Sequence, residues 1–318
     1  MRVIEATREE FSNQLSSPYV VFNSASFNEL NRTKVERIYY LLFMDTKLRM
    51  GLIAGEKDGM LKSPFSAPFG GFSFVKENIS VSIVDGVIES FCSFIEEGDF
   101  EGSIIVPPPI IYNSSFITKQ FSALFRSGFQ IEDVDQDHFI DVTDFHNSYF
   151  NNISSKSRQN IRKGLKEGLN LKVCKTERER QLAYSVIERN RKQKGYYLSM
   201  SREEVFKTSK IVDADYFILM NGSSDPVAAA IIYHVSKKMV QVIYWGDLPE
   251  YEKIRPMNVL AFKVFEHYAR QEFNIIHLGT SSINSVPNHG LSDFKESVGC
   301  NVTPKLTMKF DKTKSVAD

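Results

Sequence analysis

The stretch that decides the fold runs from residue 216 to residue 271 and reads YFILMNGSSDPVAAAIIYHVSKKMVQVIYWGDLPEYEKIRPMNVLAFKVFEHYARQ. Its first part contains three β-favouring apolar runs, at residues 216–220, 227–235 and 239–244. The turn sequences Asn221-Gly222 and Ser236-Lys237-Lys238 separate these runs, so we predict three strands joined by tight turns. A polar loop follows, and residues 257–271 then have the apolar spacing of a helix.

The same order of elements occurs twice in the chain. After the helix we predict a strand (275–278), a loop, a short helix (291–298) and a closing strand (305–310). In the first half we predict strands 37–44 and 49–54, a Gly/Pro-rich loop (63–72), helix 79–97, strand 103–106, helix 116–126 and two strands flanking Asp135. A recurrence at about half the chain length predicts two copies of one fold.

The length of 318 residues also favours two domains. We therefore predict an α/β protein (an α+β mixed sheet), with one domain in residues 1–145 and a second in residues 146–318. Two additional helices, at 155–167 and 178–194, precede the second copy and end at Gly168 and Gly195. A third begins at the capping-box sequence Ser201-Arg202-Glu203-Glu204.

Charge and cysteine content narrow the class of protein. Lys and Arg number 39 against 39 Asp and Glu, so a nucleic-acid partner would have to be bound by a local basic patch. Cys92, Cys174 and Cys300 have no metal-ligand spacing, and we interpret them as buried thiols in a reducing compartment. Neither a signal peptide nor a run of ~20 apolar residues is recognisable. We expect a cytoplasmic protein without a membrane span.

Three stretches give the predicted order a family resemblance. They are ISSKSRQNIRKGLKEGL (residues 153–169), NHGLSDFKESVG (288–299) and SPFSAPFGGF (63–72). The first resembles the basic helix that opens the second domain of FemABX-like proteins, the second their "phenylalanine-lysine, x, x, x, glycine" element, and the third the glycine-glycine-phenylalanine loop of some first domains. The resemblance implies two tandem GNAT-like acyltransferase domains, the first of them degenerate.

One departure from ordinary GNAT enzymes concerns the donor. Their arginine/glutamine-x-x-glycine-x-glycine/alanine phosphate loop is replaced here by EKIRPMN (residues 252–258). Pro256 stands where a helix begins, so the free backbone amides of Met257, Asn258 and Val259 can bind an anion, supplemented by Arg255. The alternative is an ordinary core helix that begins at a proline. The resemblance also implies that Tyr244, Trp245 and Gly246 border the acyl donor, where a strand edge of this fold splays from its neighbour, and Gly246 permits a bulge there. For Trp245, packing in the core is the alternative.

The helix at 155–167 carries a candidate acceptor site. Arg158, Arg162 and Lys166 recur every four residues, beside a predicted apolar ridge of Ile161 and Leu165. Together with Lys156, these cations favour a phosphorylated or nucleotide-linked small-molecule acceptor. A solvated helix face is the alternative.

The candidate catalytic residues lie on the last predicted helix. The resemblance implies that Phe294 and Lys295 lie beside the transferred acyl group, where Lys295 would stabilise the tetrahedral oxyanion. Asp293, Asp247 and Glu250 are candidate bases, and ordinary loop carboxylates are the alternative for all three. Asn284 and Asn288, in the polar loop before this helix, are candidate substrate-binding residues.

The function predicted from these features is N-acyl transfer, from acyl-CoA (acetyl-CoA), to an amine of a cell-envelope or polysaccharide precursor. An aminoacyl-tRNA-dependent FemABX-type peptidyltransferase and a non-catalytic binding protein with a degenerate GNAT fold are the alternatives. The six histidines have no HxxxH or HExxH pattern, so we predict no metal. The absence of GxSxG, P-loop and GxGxxG motifs argues against hydrolases, NTPases and dinucleotide enzymes.

Overall fold

The computed structural model describes residues 1–312. Seven strands and four helices occupy the chain up to Asp141: strands β1 (Arg2–Ala6), β2 (Arg37–Met44), β3 (Leu48–Lys57), β4 (Met60–Ser63), β5 (Ser73–Phe74), β6 (Gly102–Ile105) and β7 (Gln130–Asp141), and helices α1 (Arg8–Gln14), α2 (Ala25–Leu30), α3 (Val81–Glu97) and α4 (Ser114–Arg126).

The remaining elements include most of the stretch quoted first. They are helices α5 (Phe145–Asn152), α6 (Ser155–Lys166), α7 (Glu177–Lys194), α8 (Arg202–Thr208), α9 (Pro256–Ala269) and α10 (His289–Ser297), and strands β8 (Asn170–Val173), β9 (Ala214–Met220), β10 (Pro226–Ser236), β11 (Met239–Asp247), β12 (Ile275–Thr280), β13 (Ser282–Ile283), β14 (Val286–Pro287) and β15 (Asn301–Asp311). Short 3₁₀ helices lie at Val21–Asn23, Arg32–Lys34, Ile110–Tyr112 and Pro249–Ile254.

The chain divides into two compact units, each with its own core. Unit 1 contains Met1–Gln136, Ser282–Val286 and the described residues from Thr303 onward, and unit 2 contains Asp137–Ser281 and Pro287–Val302. The predicted domain division at residues 145/146 concerns the repeated sequence pattern and stays a prediction. Residues 313–318 of the predicted second domain lie outside the described part of the chain.

Unit 1 is a sheet with helices packed on it. Its strands lie in the order β1-β2-β3-β4-β6-β15-β7, and β5 pairs with β3. β4 and β6 run parallel, from Met60 opposite Gly102 to Ser63 opposite Ile105. α3 buries a complete apolar stripe against the sheet, consisting of Val84, Val87, Ile88, Phe91 and Ile95.

Unit 2 has the strand order β7-β12-β11-β10-β9-β8. β9, β10 and β11 form the predicted antiparallel set, whereas β11 and β12 run parallel because α9 connects them. α9 is apolar on most of its surface and lies in the centre of the unit 2 core, with Val259, Leu260, Ala261, Val264, Phe265 and Tyr268 fully buried. Strand order and helix positions thus confirm the predicted α/β fold class.

The closing strands differ from the prediction that each half of the chain completes its own copy. β15, from the end of the sequence, pairs with β6 in unit 1, and the end of β7 pairs with β12 in unit 2, with Ile140 opposite Ile276. The two strands predicted around Asp135 are one continuous strand, β7. Its first residues are mostly exposed and belong to unit 1, whereas Asp137–Asp141 belong to unit 2.

The helix ends follow the predicted capping signals. Gly195 ends α7 in the left-handed conformation, at φ 68°. Ser201 and Glu204 form the predicted capping box of α8. Pro256 is the first residue of α9, which has no side-chain cap. No helix within residues 1–312 is both long enough and apolar enough to cross a membrane.

The predicted apolar ridge of α6 was half wrong. Ile161 is fully buried, but Leu165 is 37% exposed, and the buried side of the helix consists of Ser157, Ile161 and Gly164. The reason is the contact with α9: a Cβ on Gly164 would lie 2.5 Å from Val259 Cγ2. Only a glycine lets the two helices approach this closely.

Candidate functional site

A fork between β11 and β12 is the central feature of unit 2. The two strands pair in parallel only from Met239 opposite Ile275 to Gln241 opposite His277. Beyond this point β11 continues alongside β10 to Asp247, while β12 continues alongside β7 to Thr280. We call residues 242–247 the β11 arm and residues 278–280 the β12 arm. Because the arms do not pair with each other, the sheet opens at its middle.

A β-bulge begins the β11 arm. Ile231 lies opposite Tyr244 and Ile232 opposite Val242, so Ile243 is the extra residue. The bulge was expected at Gly246, which instead lies in regular pairing opposite Ala229. The inserted residue changes which side chains face the core, because the side-chain period of a strand is two.

Gly246 is required by a close approach of helix α7. A Cβ at this position would lie 2.6 Å from Asn190 Oδ1. Asn190 is 2% exposed and donates from Nδ2 to the Asp247 carbonyl oxygen at 2.6 Å. The Lys194 ammonium lies 3.3 Å from the Asp247 carboxylate. The α7 side chains therefore hold the end of the β11 arm.

Tyr244 and Trp245 are buried and anchor neighbouring segments. The Tyr244 hydroxyl lies 2.6 Å from Ser199 Oγ and accepts from the Met200 N–H at 3.0 Å. Burial raises the pKa of Tyr244, so it stays neutral. The Trp245 ring packs edge-on against Phe294, with centroids 5.8 Å apart. This contact brings one predicted donor-site residue and one predicted catalytic residue together.

Helix α10 carries the three predicted catalytic residues in three different environments. Phe294 is partly buried, and Asp293 is exposed to solvent. Lys295 is 1% exposed. Asn288 accepts from the Leu291 N–H at 3.1 Å and so caps the helix.

The Lys295 ammonium is bound to the β12 arm. It donates to the carbonyl oxygens of Gly279 at 2.8 Å and Thr280 at 3.0 Å. Gly279 adopts φ 70°, and the pairing with β7 shifts register between His277 and Gly279. The bent backbone therefore presents two successive carbonyl groups to one buried cation, which partly compensates its lost hydration.

The sequence analysis missed a buried histidine, His138, that lies within range of the Lys295 charge. His138 is fully buried, and its ring nitrogens lie 3.1 Å from the hydroxyls of Ser281 and Ser292. Burial lowers the pKa of His138, and the Lys295 charge lowers it further, against a hydrogen bond and charge from Glu296. A second buried histidine, His277, lies 2.8 Å from the Asp137 carboxylate.

The predicted phosphate site at the start of α9 is partly covered. Arg255 is exposed in a left-handed conformation at φ 57°, and Met257 is half-buried. Asn258 is buried, and its side chain is occupied by helix α6: its oxygen accepts from Asn160 at 3.1 Å and its nitrogen donates to Ser157 at 3.3 Å. The first turn of α9 keeps backbone donors without a side-chain cap, and helix α6 packs beside it.

The α6 cations lie on the exposed side of that helix. Arg158 donates to the Phe150 carbonyl at 2.9 Å and to Ser155 at 3.0 Å. Lys156 and Arg162 are exposed. Asn284 is an exposed turn residue of unit 1 at φ 50°. Among residues 1–312, no group of three His, Cys, Asp or Glu side chains is arranged to hold a metal ion.

The overlooked residues gave weak signals in the sequence. Gln241 is a polar residue between Val240 and Val242 in a predicted strand. His138 is a polar residue directly before the apolar pair Phe139-Ile140, also in a predicted strand. Mixtures of polar and apolar residues like these are also typical of half-exposed strands, so they did not mark either residue as buried. Asn190 was inside a predicted polar helix, where nothing distinguished it from a surface residue.

Two units of this strand order, with a forked parallel pair in the second, define a tandem GNAT-type fold. The solved structure of FemX aligns over 99% of this chain and 98% of its own, with a TM-score of 0.72 and 10% identity. L-PGS from Bacillus licheniformis aligns over 98% of this chain and 94% of its own, at TM-score 0.61 and 12% identity. A tandem GNAT protein from the clavulanic acid biosynthesis pathway aligns over 98% of both chains, at TM-score 0.54 and 8% identity.

These alignments establish a FemABX-like tandem GNAT fold, at identities that carry no information on substrates. No protein-family model and no curated protein matches the sequence.

Proposed function

We propose that this protein is an N-acyltransferase that moves an acyl or aminoacyl group onto an amine of a cell-envelope or polysaccharide precursor. The observation that carries the proposal is the fork, which ends the β11–β12 pairing at Gln241 and His277. An extended donor can add to the unpaired edge of the β11 arm through backbone hydrogen bonds. Its reactive carbonyl would then lie near Tyr244, Trp245 and Gly246.

The chemistry proposed at the fork is attack of a neutral amine on the donor carbonyl. The C–N bond forms and the carbonyl oxygen becomes an oxyanion. The new ammonium group loses one proton to a base or to water, the carbonyl re-forms, and the bond to the donor's thioester sulfur or ester oxygen breaks, with a proton taken up by that leaving group. Lys295 is the proposed source of positive charge at the oxyanion. Phe294, through its contact with Trp245, would exclude water from the same region. Asp293 is exposed, and as a base it would act at the solvent side.

The donor is proposed to be an acyl-CoA, such as acetyl-CoA. Its phosphates would be held by the uncapped backbone amides at the start of α9, with Arg255 and Met257 at the opening and Asn258 fixing the turn. The residues present fit a phosphate less closely than a glycine-rich loop would, because a 3₁₀ helix (Pro249–Ile254) occupies the preceding segment. CoA would supply the thioester-activated acyl group.

The acceptor is proposed to be phosphorylated or nucleotide-linked. Lys156, Arg158 and Arg162 are the cations proposed to bind it. Asn288 remains a proposed polar contact, although its side-chain oxygen already caps α10. Asn284 belongs to unit 1, and its role in substrate binding stays a prediction from the sequence.

We further propose that the N-terminal copy is degenerate. In unit 1 the equivalent parallel pair, β4 and β6, does not open: the Val106 N–H donates to the Ser63 carbonyl at 2.8 Å directly beyond the last strand pair. The Gly70 N–H donates to the Val106 carbonyl at 2.8 Å, and Phe69 and Phe72 are fully buried. The loop after β4 therefore fills the space that a fork would leave.

The deciding experiment measures thermal stabilisation by acetyl-CoA, longer acyl-CoAs and free CoA, followed by transfer of a labelled acyl group to amine acceptors. Stabilisation by acyl-CoA and transfer support the proposed donor. Transfer only from aminoacyl-tRNA would identify the second donor class. Binding without transfer from any donor would leave a non-catalytic binding protein and overturn the enzymatic proposal.

A further inference from the structure

Gln241 lies at the point where the fork opens. It belongs to the last parallel pair, opposite His277, and its neighbours Val240 and Val242 face the unit 2 core. The side chain is therefore on the opposite face of the sheet, because successive strand residues alternate. Only 3% of the residue is exposed.

The Gln241 side-chain oxygen, Oε1, is buried without a hydrogen-bond partner in the described part of the chain. Leaving a buried carbonyl oxygen without a donor costs free energy, so this atom calls for an explanation. By contrast, the buried amide of Asn190 in the same unit donates to the Asp247 carbonyl at 2.6 Å.

The amide adjoins the β12 arm that holds Lys295. A methyl group placed on Gly279 would lie 4.0 Å from Gln241 Nε2, and the Gly279 carbonyl accepts from the Lys295 ammonium at 2.8 Å. Gln241 and Lys295 are thus both adjacent to Gly279. A carbonyl group reacting at the fork near Lys295 would have its α-substituents within reach of this amide.

We propose that Gln241 Oε1 accepts a hydrogen bond from an N–H or O–H group on the carbon next to the reacting carbonyl. Gln241 thereby selects acyl groups that carry such a donor over acyl groups that lack it. This inference rests on the proposed acyl-transfer function. An amino group and a hydroxyl group supply the same donor chemistry, and the experiment separates them. Sites built to hydrogen-bond a substrate group discriminate strongly against analogues that lack it, because the buried partner is then left unpaired.

The first test needs no substrate. Gln241→Met conserves volume and removes the amide, and Asn190→Leu does the same at a buried amide that is satisfied within the chain. Gln241→Met is expected to melt at or above the wild-type temperature, whereas Asn190→Leu is expected to melt lower. If Gln241→Met melts as low as Asn190→Leu, Gln241 is a structural residue and the proposal is overturned.

The second test compares donors of equal size. Lactoyl-CoA and propionyl-CoA differ by one hydroxyl group, and alanyl-tRNA and propionyl-tRNA differ by one amino group. In whichever donor class reacts, wild type is expected to prefer the polar acyl group at least tenfold in kcat/KM, and Gln241→Met to lose that preference. The pair that shows the preference identifies hydroxyl or amino recognition.

Two results contradict the proposal in this second test. A preference that persists in Gln241→Met, or an equal loss of rate for both donors of a pair, would show that Gln241 does not recognise the polar group of the acyl chain. If no donor of either class reacts, the proposed function fails, and the melting comparison still decides whether Gln241 is structural.

Discussion

The amide oxygen of Asn190 lies so close to Gly246 that a methyl group on this glycine would come within 2.6 Å of it. Asn190 is on α7 and Gly246 is on the β11 arm, 56 positions later in the sequence. The contact is possible only without a side chain at position 246. This contact joins the β11 arm, on which the donor is proposed to bind, to helix α7.

Gly246→Ala should therefore destabilise the protein by about 1–3 kcal/mol, because either Asn190 or the strand must move. Urea unfolding curves measure this change. The matched control is Gly222→Ala, where an added methyl group would lie 3.8 Å from the Glu167 carbonyl oxygen, an ordinary contact distance. Equal effects of the two substitutions would contradict the close approach at Gly246.

Lys295→Met should lower turnover by about 10²-fold to 10³-fold if Lys295 stabilises the oxyanion. It should also destabilise the fold by about 1–3 kcal/mol, because the Gly279 and Thr280 carbonyls lose their buried donor. Turnover and donor affinity are measured at a temperature where the variant stays folded. Asp293→Asn, at an exposed position on the same helix, is the control for stability. Near-normal turnover of a folded Lys295→Met protein argues against the catalytic assignment.

Stability should depend on pH through His138. Burial and the Lys295 charge hold its pKa below the ordinary value of 6.5. The unfolded chain therefore binds a proton at a higher pH than the folded chain, so the free energy of unfolding should fall as pH decreases below about 6.5. Urea unfolding at several pH values measures the slope.

His138→Gln should flatten this acid dependence, because glutamine does not titrate. His289→Gln is the control, because His289 is exposed at the start of α10, and the slope should stay unchanged in this variant. The assignment to His138 is wrong if both variants keep the wild-type slope.

Arg162→Gln should weaken binding of a nucleotide-linked sugar and reduce the salt dependence of that binding, because screening acts on charge pairs. The melting temperature should stay within error of wild type, since Arg162 is exposed. Calorimetric titrations at several salt concentrations provide the measurement. Arg270→Gln removes an exposed arginine that pairs with Glu266 on α9 and serves as the control. Identical salt slopes for both variants would show that Arg162 does not bind the ligand and is only a solvated surface residue.

Local sequence patterns predicted most of the elements. Alternating and helical apolar spacing identified β9, β10, β11 and α9, and short-range signals such as Gly195, the Ser201 capping box and Pro256 fixed where helices begin and end. These signals act over a few residues, so a single sequence contains them completely. The family resemblance and the repeated order then predicted the tandem fold.

The arrangement of the candidate site depended on contacts between distant residues. The side chains of Ser157 and Asn258, which join α6 to α9, are 101 positions apart, and those of His138 and Ser292 are 154 positions apart. Whether a polar residue in a strand is exposed or buried without a partner depends on which segments pack over it, so Gln241 could not be recognised from its neighbours.

The sequence by itself therefore determined the element types, their caps and their repeated order, because each follows from residues close together in the chain. Only the tertiary structure decided where β11 and β12 separate and which strand closes each unit. It also decided which glycines and amides face a neighbouring segment. The physical reason is that strand register and side-chain burial are set by pairing and packing between segments far apart in sequence, whose free energies no local pattern contains.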